Sequence, residues 1–257
     1  MLTSYLIVCP LVFLAGFVDA IGGGGGLISL PAYLFAGLPA HAAVATNKFS
    51  SSIGTAVSTA RYCKHGHADW GLAIYSIPLA ILGAQLGSRL ALIVSDEVFK
   101  IMLLVMLPII ALYVLLHKNL EPNPDKVISR KRQILTVIAA SLIIGVYDGF
   151  YGPGTGTFQL LVYTGVCSLP VLKAAGNTKL ANLASNLSAL FVFLLSGRVN
   201  LPLGCAAAVF SIAGHYVGAG AAMKNGTKLV RIIVLSVITL LFVKVLVEAI
   251  TGSAFLG

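Results

Sequence analysis

An all-α, polytopic membrane protein made of two related halves is the fold this sequence predicts, on three observations. Hydrophobic residues make up 58% of the 257 positions and charged ones 10%, with a mean hydropathy of +0.97, outside the range of a soluble domain of this length. Apolar stretches of roughly 20 residues, enough to cross the hydrocarbon core of a bilayer, recur along the chain. A carboxylate followed by a glycine-rich run occurs twice, as Asp19-Ala-Ile-Gly-Gly-Gly-Gly-Gly26 and as Asp148-Gly-Phe-Tyr-Gly-Pro-Gly-Thr-Gly156, each at the end of an apolar span.

Taken in order, the first half reads as spans at 5–21, 41–62, 70–94 and 98–116, and the second as spans at 133–151, 172–196, 200–222 and 229–250. Between the first two spans of each half lies a shorter apolar piece, 27–38 and 157–168. At about 1.5 Å per helical residue such a piece reaches only about 18 Å, so neither crosses unaided. The stretch 117–132 carries Lys118, Lys126, Arg130, Lys131 and Arg132 with Pro122 and Pro124, the composition of a cytoplasmic linker. It divides the chain into an N-terminal repeat, 1–116, and a C-terminal repeat, 133–257. The first charged residue is Asp19, so the N-terminal stretch lacks a basic n-region and reads as a retained first span.

The halves align as Gly16-Phe-Val-Asp19 on Gly145-Val-Tyr-Asp148 and Ala43-Val-Ala-Thr-Asn-Lys48 on Ala174-Ala-Gly-Asn-Thr-Lys179. Short, Gly- or Pro-interrupted segments at equivalent places in two repeats point to a transporter's binding site. Loop charge bears on how the repeats are related. If the short pieces turn back, Lys and Arg divide between the two faces; if they complete a crossing with their neighbours, only Lys100 and Arg198 fall outside. The positive-inside rule prefers the second arrangement, which makes the repeats inverted. The shortness of the pieces argues the other way.

Composition also excludes functions. The net charge of +9 comes from 17 basic and 8 acidic residues, with no basic groove or aromatic ladder, which favours membrane orientation over nucleic-acid binding. Cys9, Cys63, Cys167 and Cys205 are scattered, without a CxxC or a histidine at metal-ligand spacing, so they read as packing residues and no metal or cofactor is expected. No Lys-Ser/Thr follows Gly22 to Gly26 and no βαβ unit surrounds it, which disfavours a nucleotide site. No nucleophile–base pair is apparent, and the chain is not expected to be an enzyme. With no ATP-binding motif, active transport must draw on an ion gradient or on the substrate's own.

Within apolar segments the carboxylates are Asp19, Asp148 and, near the C-terminal end, Glu248. Asp19 and Asp148 occupy equivalent places and are candidate ion-coupling residues, since an ionisable group at depth is functional by default. The competing reading is that each caps the helix restarting after the glycines or pairs with a lysine. Five uninterrupted glycines after Asp19 allow rearrangement on protonation, whereas Pro153, Phe150, Tyr151 and Thr155 stiffen the run after Asp148. Asp19 is therefore the better coupling candidate and Asp148 mainly a cap. Candidate substrate-binding residues are Gly22, Gly23, Gly24, Gly25, Gly26, Gly152, Gly154 and Gly156, where restarting helices direct N–H groups and positive dipole ends at a ligand. To these the polar helix faces add Thr46, Asn47, Lys48, Asn177, Thr178, Lys179 and Asn182. The setting suits a small anion. Lys48 and Lys179 read as solvated cavity groups whose replacement by Met weakens binding and leaves the fold intact; the same polar faces also suit interhelical glue. His215 offers a proton relay, but a lone membrane histidine is more often a packing or hydrogen-bonding residue and is read so. Arg89 reads as a snorkelling side chain.

Asp19 to Pro31, Ala45-Thr-Asn-Lys48, Gly145 to Gly156 and Lys179-Leu-Ala-Asn-Leu-Ala-Ser-Asn186 together resemble the TauE/SafE family of bacterial membrane transporters, over nearly the whole chain. The resemblance implies a multi-pass transporter of the bacterial inner membrane with about eight spans, associated with sulfite, sulfonates and other sulfur-containing or organic anions. Pro153 and Thr155 interrupt the second glycine motif, so the two halves are not expected to play equal roles. The leading function is transport of a small anion by alternating access at the two glycine breaks. An anion channel is the nearest alternative, with a membrane-embedded enzyme or an accessory subunit behind it; the expected partners are an anionic substrate and lipid, without nucleic acid, and a homo-oligomer stays open.

Overall fold

The computed structural model describes residues 2–95, 97–98 and 128–251. The expected span at 98–116, most of the linker at 117–132 and the side chain of Glu248 fall outside them. The described residues form α1 (Leu2–Gly22), α2 (Gly26–Phe35), α3 (Ala40–Lys64), α4 (Trp70–Ile93), α5 (Arg130–Phe150), α6 (Thr155–Leu161, prolonged by a π-helical turn over Val162–Val166), α7 (Val171–Leu195) and α8 (Leu201–Thr251). Local sequence sets most of these ends. Pro39 and Pro170 stand immediately before α3 and α7, where a missing N–H costs nothing. The Asp69 carboxylate caps α4 by accepting from Leu72 N at 3.2 Å, and Asn200 Oδ1 caps α8 by accepting from Leu203 N at 3.2 Å. Arg61 and Lys64 in the last turn of α3 complement its dipole.

Among the described residues five helices are long and apolar enough to cross a membrane: Leu2–Gly22, Trp70–Ile93, Arg130–Phe150, Val171–Leu195 and Leu201–Asn225. With 25 residues α3 is as long as these, yet Thr46, Asn47, Lys48, Ser50 and Ser52 make it too polar, and these side chains are buried among the other helices. The expected spans 200–222 and 229–250 are not separate: α8 runs through both as one helix of 51 residues. The stretch 223–228 between them holds no proline and a single glycine, Gly226, and a glycine costs a helix only about 1 kcal/mol.

Close contacts fix the running directions. On α4 and α5, Asp69 meets Arg130 at 2.8 Å, Gly83 faces Leu142 and Val146, and Gly87 faces Val146 and Phe150, so the two run parallel at the small-residue approach typical of membrane helices. α1 and α8 are parallel likewise, with Gly214 against Phe13 and Phe17 and Gly218 against Phe17 and Ala20. α3 runs with α8, from Asn200 N donating to Thr46 Oγ1 at 3.0 Å to Arg61 donating to the Tyr216 carbonyl at 2.5 Å. α7 runs with α4, from Gly176 beside His67 to Ser188 donating to the Ile81 carbonyl at 2.9 Å. α3 and α7 are antiparallel, as Lys48 meets Asn186 while Thr59 meets the Lys179 carbonyl. α1, α3 and α8 thus point one way and α4, α5 and α7 the other. α2 returns the chain to the side where α1 begins, since Ser4 Oγ reaches the Ala36 carbonyl at 3.5 Å.

Arg61, Lys64, Arg130, Lys131, Arg132, Lys173 and Lys224 all lie at the end where α3 finishes and α5 and α7 begin. The opposite end carries Arg198, with Arg89 exposed near the end of α4. Leu82, Leu86, Leu90 and Ile93 of α4 are exposed, a lipid-facing stripe. Inside, one apolar cluster gathers Val8, Leu30, Tyr33 and Phe193, and a second gathers Ile21, Tyr62, Leu72 and Tyr163. The polar site lies between them.

Candidate functional site

α1 and α5 each stop at a glycine break, and the two breaks meet. Gly23 and Gly24 take φ of +73° and +88°, Gly152 and Gly154 φ of +100° and +86°, a left-handed region that glycine enters without a steric penalty. A Cβ on Gly23 would fall on the backbone of Gly156 and Thr157, and one on Gly26 would lie 3.0 Å from Pro153 Cα. Thr157 Oγ1 donates to the Gly22 carbonyl at 3.1 Å, satisfying one of the acceptors freed where α1 ends. The glycine runs are thus the contact surface of two interrupted helices, as well as turns.

Around this crossing the equivalent charges pair across the halves. Lys48 Nζ lies 2.8 Å from Asp148 Oδ1, both side chains 2% exposed, and also donates to Asn186 Oδ1 at 2.8 Å. Lys179 Nζ lies 2.6 Å from Asp19 Oδ2, with exposures of 2% and 13%. Asp148 is held further by Ser185 Oγ at 2.6 Å. Asp19 accepts from Gly25 N at 3.3 Å and contacts His215 Nε2 at 3.3 Å. Two sequence expectations need correction here. The backbone N–H beyond the break is taken by Asp19, while the partners of Asp148 are the side chains of Lys48 and Ser185. The lysines, read as solvated, are buried in ion pairs, because an ammonium taken out of water needs an opposite charge and hydrogen-bond acceptors in its place.

A cavity of about 30 Å³ opens at the crossing, room for about two waters. Of the expected site residues it gathers Asp19, Gly24, Gly25, Gly26, Asn47, Lys48, Asp148, Gly152, Gly154, Gly156 and Asn182. Gly22 and Gly23 pack against the second break instead. Thr46 accepts the Asn200 N–H, a structural bond at the start of α8. Lys179 reaches the cavity only through Asp19. Asn177 and Thr178 are buried off the cavity, and Asn177 Oδ1, Thr178 Oγ1 and both polar atoms of Gln159 have no hydrogen-bond partner among the described residues.

The wall also includes residues outside the expected set: Ser29, Ser51, Thr55, Thr155, Asn186, Ser211 and His215. Ser29 donates to Asn47 Oδ1 at 2.7 Å, tying α2 to α3. Ser51 and Asn186 lie on the polar faces that the sequence marks. His215, which the sequence offers as a proton relay but reads as a packing residue, lies at the cavity; Gly214-His215 of α8 and Gly83-Ala84 of α4 occupy like places, each glycine against the opposite half's first helix. The cysteines are free, with Cys9 and Cys167 buried as expected and Cys205 exposed. Among the described residues no three His, Cys, Asp or Glu side chains gather as a metal site.

Comparison with known proteins matches residues 8–245 to the family described as sulfite exporter TauE/SafE. A probable membrane transporter protein, ORF9, of Sinorhizobium sp is 36% identical over 238 residues, 92% of this chain and 90% of the relative. A probable membrane transporter protein of Haemophilus influenzae is 35% identical over 224 residues, 85% of each. The probable membrane transporter protein YfcA of Escherichia coli K12 is 30% identical over 236 residues, 92% of this chain and 87% of the relative. No solved structure matches the chain.

Proposed function

The chain belongs to the TauE/SafE family and is a multi-pass membrane transporter, not an enzyme, and from that premise we propose that it carries a small anion, a sulfur oxyanion or an organic anion such as a sulfonate, by alternating access at the crossing of its two glycine breaks. The observation that carries this reading is the cavity itself. It brings together the starts of α2 and α6, at Gly25, Gly26, Thr155 and Gly156, and the side chains of Lys48, Asn182 and Asn186. Helix starts and amide or ammonium donors replace the hydration shell of an anion. The paired Asp19 and Asp148 neutralise the two lysines.

The cross-pairing of helices supports two inverted repeats. α1 and α5 run in opposite directions, as do α3 and α7, and α4 and the first part of α8; α1 packs on α8 as α4 packs on α5. With apolar clusters on either side of the cavity, rocking of the two sets of helices about the crossing exposes the site to one face at a time. The basic end is then cytoplasmic by the positive-inside rule, in keeping with residence in the bacterial inner membrane. A thermal-shift screen of the purified protein against sulfite, sulfate, thiosulfate, methanesulfonate and acetate, with chloride as control, tests the substrate class. At a hundredfold excess over Kd a ligand adds about 2.7 kcal/mol of stability, so a substrate anion raises the midpoint where chloride does not. Equal midpoints in every anion would overturn the anion site.

A further inference from the structure

His215 sits at the cavity with both ring nitrogens in contact with polar atoms. Nδ1 lies 3.1 Å from the Ser211 carbonyl oxygen; a carbonyl only accepts, so Nδ1 carries a proton. Nε2 lies 3.3 Å from Asp19 Oδ2 and 3.3 Å from Thr55 Oγ1. A neutral ring protonated on Nδ1 turns its Nε2 lone pair toward both the Thr55 hydroxyl, which can donate to it, and the Asp19 carboxylate, which cannot; a proton on Nε2 converts the contact with Asp19 into a charge-assisted hydrogen bond. From this geometry we infer that Asp19 and His215 together hold one proton and form the site at which the transporter binds its coupling proton. This rests on the transporter reading above and extends it from Asp19 alone to the pair.

The groups around the ring give the proton a consequence. They are Asp19 from α1, Thr55 from α3, Lys179 from α7 through Asp19, and the Ser211 carbonyl of α8; Lys48 and Asp148 stand across the cavity as a neutral ion pair. With the proton the Asp19–His215–Lys179 group carries one positive charge, and without it none. Each proton taken from water therefore presents one unit of positive charge to the cavity, which one monovalent anion balances, and both leave to the opposite face. Among the described residues Asp148 has no such histidine: where α8 has Gly214-His215, α4 has Gly83-Ala84, and Asp148 is held by Lys48 and Ser185. The fold also makes room for the imidazole. A Cβ on Gly16 would lie 2.7 Å from His215 Nδ1 and one on Gly54 2.6 Å from it.

Nitrogen-15 NMR of histidine-labelled protein in detergent at neutral pH, with the His215 signals assigned by their loss in His215→Gln, reads the proton directly without any substrate. The expected spectrum has Nδ1 protonated and Nε2 in the protonated or shared range, with Nε2 moving to the unprotonated range in Asp19→Asn. A neutral ring with a bare Nε2, or one protonated at Nε2 alone, overturns the inference, and the unmodified protein decides this even if Asp19→Asn does not fold. A second arm uses methanesulfonate, a permanently charged anion, in proteoliposomes loaded with a pH dye. One proton accompanies each anion in the unmodified protein, and anion flux without proton flux is expected in His215→Gln. A shared proton in the spectrum with no methanesulfonate flux contradicts that anion as substrate while the proton site stands. Flux with an unchanged proton ratio in His215→Gln overturns the site.

Discussion

Removing the ammonium of Lys48 strands a carboxylate in the centre of the bundle. In Lys48→Met the side chain keeps its length but Asp148, 2% exposed, loses its partner at 2.8 Å and is left with the Ser185 hydroxyl at 2.6 Å. Breaking a buried pair by deleting one partner costs about 3–5 kcal/mol, whereas replacing both partners with apolar groups is often neutral. Lys48→Met is therefore expected to lower stability by about 3–5 kcal/mol, and Lys48→Met/Asp148→Leu to recover at least about 2 kcal/mol of it as coupling between neighbours. Lys179→Met is expected to cost less, because Asp19 is 13% exposed toward the cavity and keeps His215 at 3.3 Å. Denaturant titration of the purified variants in detergent, followed by tryptophan fluorescence or circular dichroism, measures all of these. A Lys48→Met variant as stable as the parent, or a double variant no better than the single one, would refute the reasoning.

Other outcomes follow from the same contacts. Gly23→Ala and Gly37→Ala both place a side chain at positive φ, but a Cβ on Gly23 strikes the Gly156 backbone while Gly37 faces open space; Gly37→Ala is expected to cost about 1 kcal/mol and Gly23→Ala to abolish folded protein on size-exclusion chromatography. Arg130 hydrogen bonds hold the Asp69 carboxyl below the usual carboxylate range, so its contribution is present above the unfolded value of about 4 and fades as pH falls further; Arg130→Gln should flatten the acid limb of a stability–pH curve. With the native cysteines replaced, single cysteines at Lys64 and Lys224 are expected to label from one face and at Arg198 from the other, and labelling of Lys64 and Lys224 from opposite faces contradicts the helix directions.

Much of this was legible in the sequence because membrane burial makes polar residues conspicuous. Asp19, Lys48, Asp148 and Lys179 stand out from apolar surroundings, and the glycine breaks identify the crossing. What the repeat could not tell was that each aspartate pairs with the opposite half's lysine, since equivalence between halves says nothing about which half supplies a partner; Lys179 reaches Asp19 across a sequence separation of 160 residues. Thr46, Asn177 and Thr178 lie on polar faces yet miss the cavity, because a one-residue step turns a helical side chain by about 100°. The continuity of α8 was hidden by Lys224, Asn225 and Lys228, whose polarity imitates a loop while their helix propensity does not end a helix. In sequence His215 is indistinguishable from an ordinary packing residue, because the space that Gly16 and Gly54 clear for its ring comes from α1 and α3, far away in the chain.

The most direct test of an anion carrier with its site at this crossing is counterflow. Proteoliposomes preloaded with the unlabelled anion that gives the largest thermal shift are diluted into a trace of the same anion in labelled form. The predicted result is transient, saturable accumulation of label that depends on the preload and is lost in Asn182→Leu, a variant at the cavity wall. Label that enters linearly with concentration and ignores the preload would contradict alternating access, and full counterflow in Asn182→Leu would contradict the site.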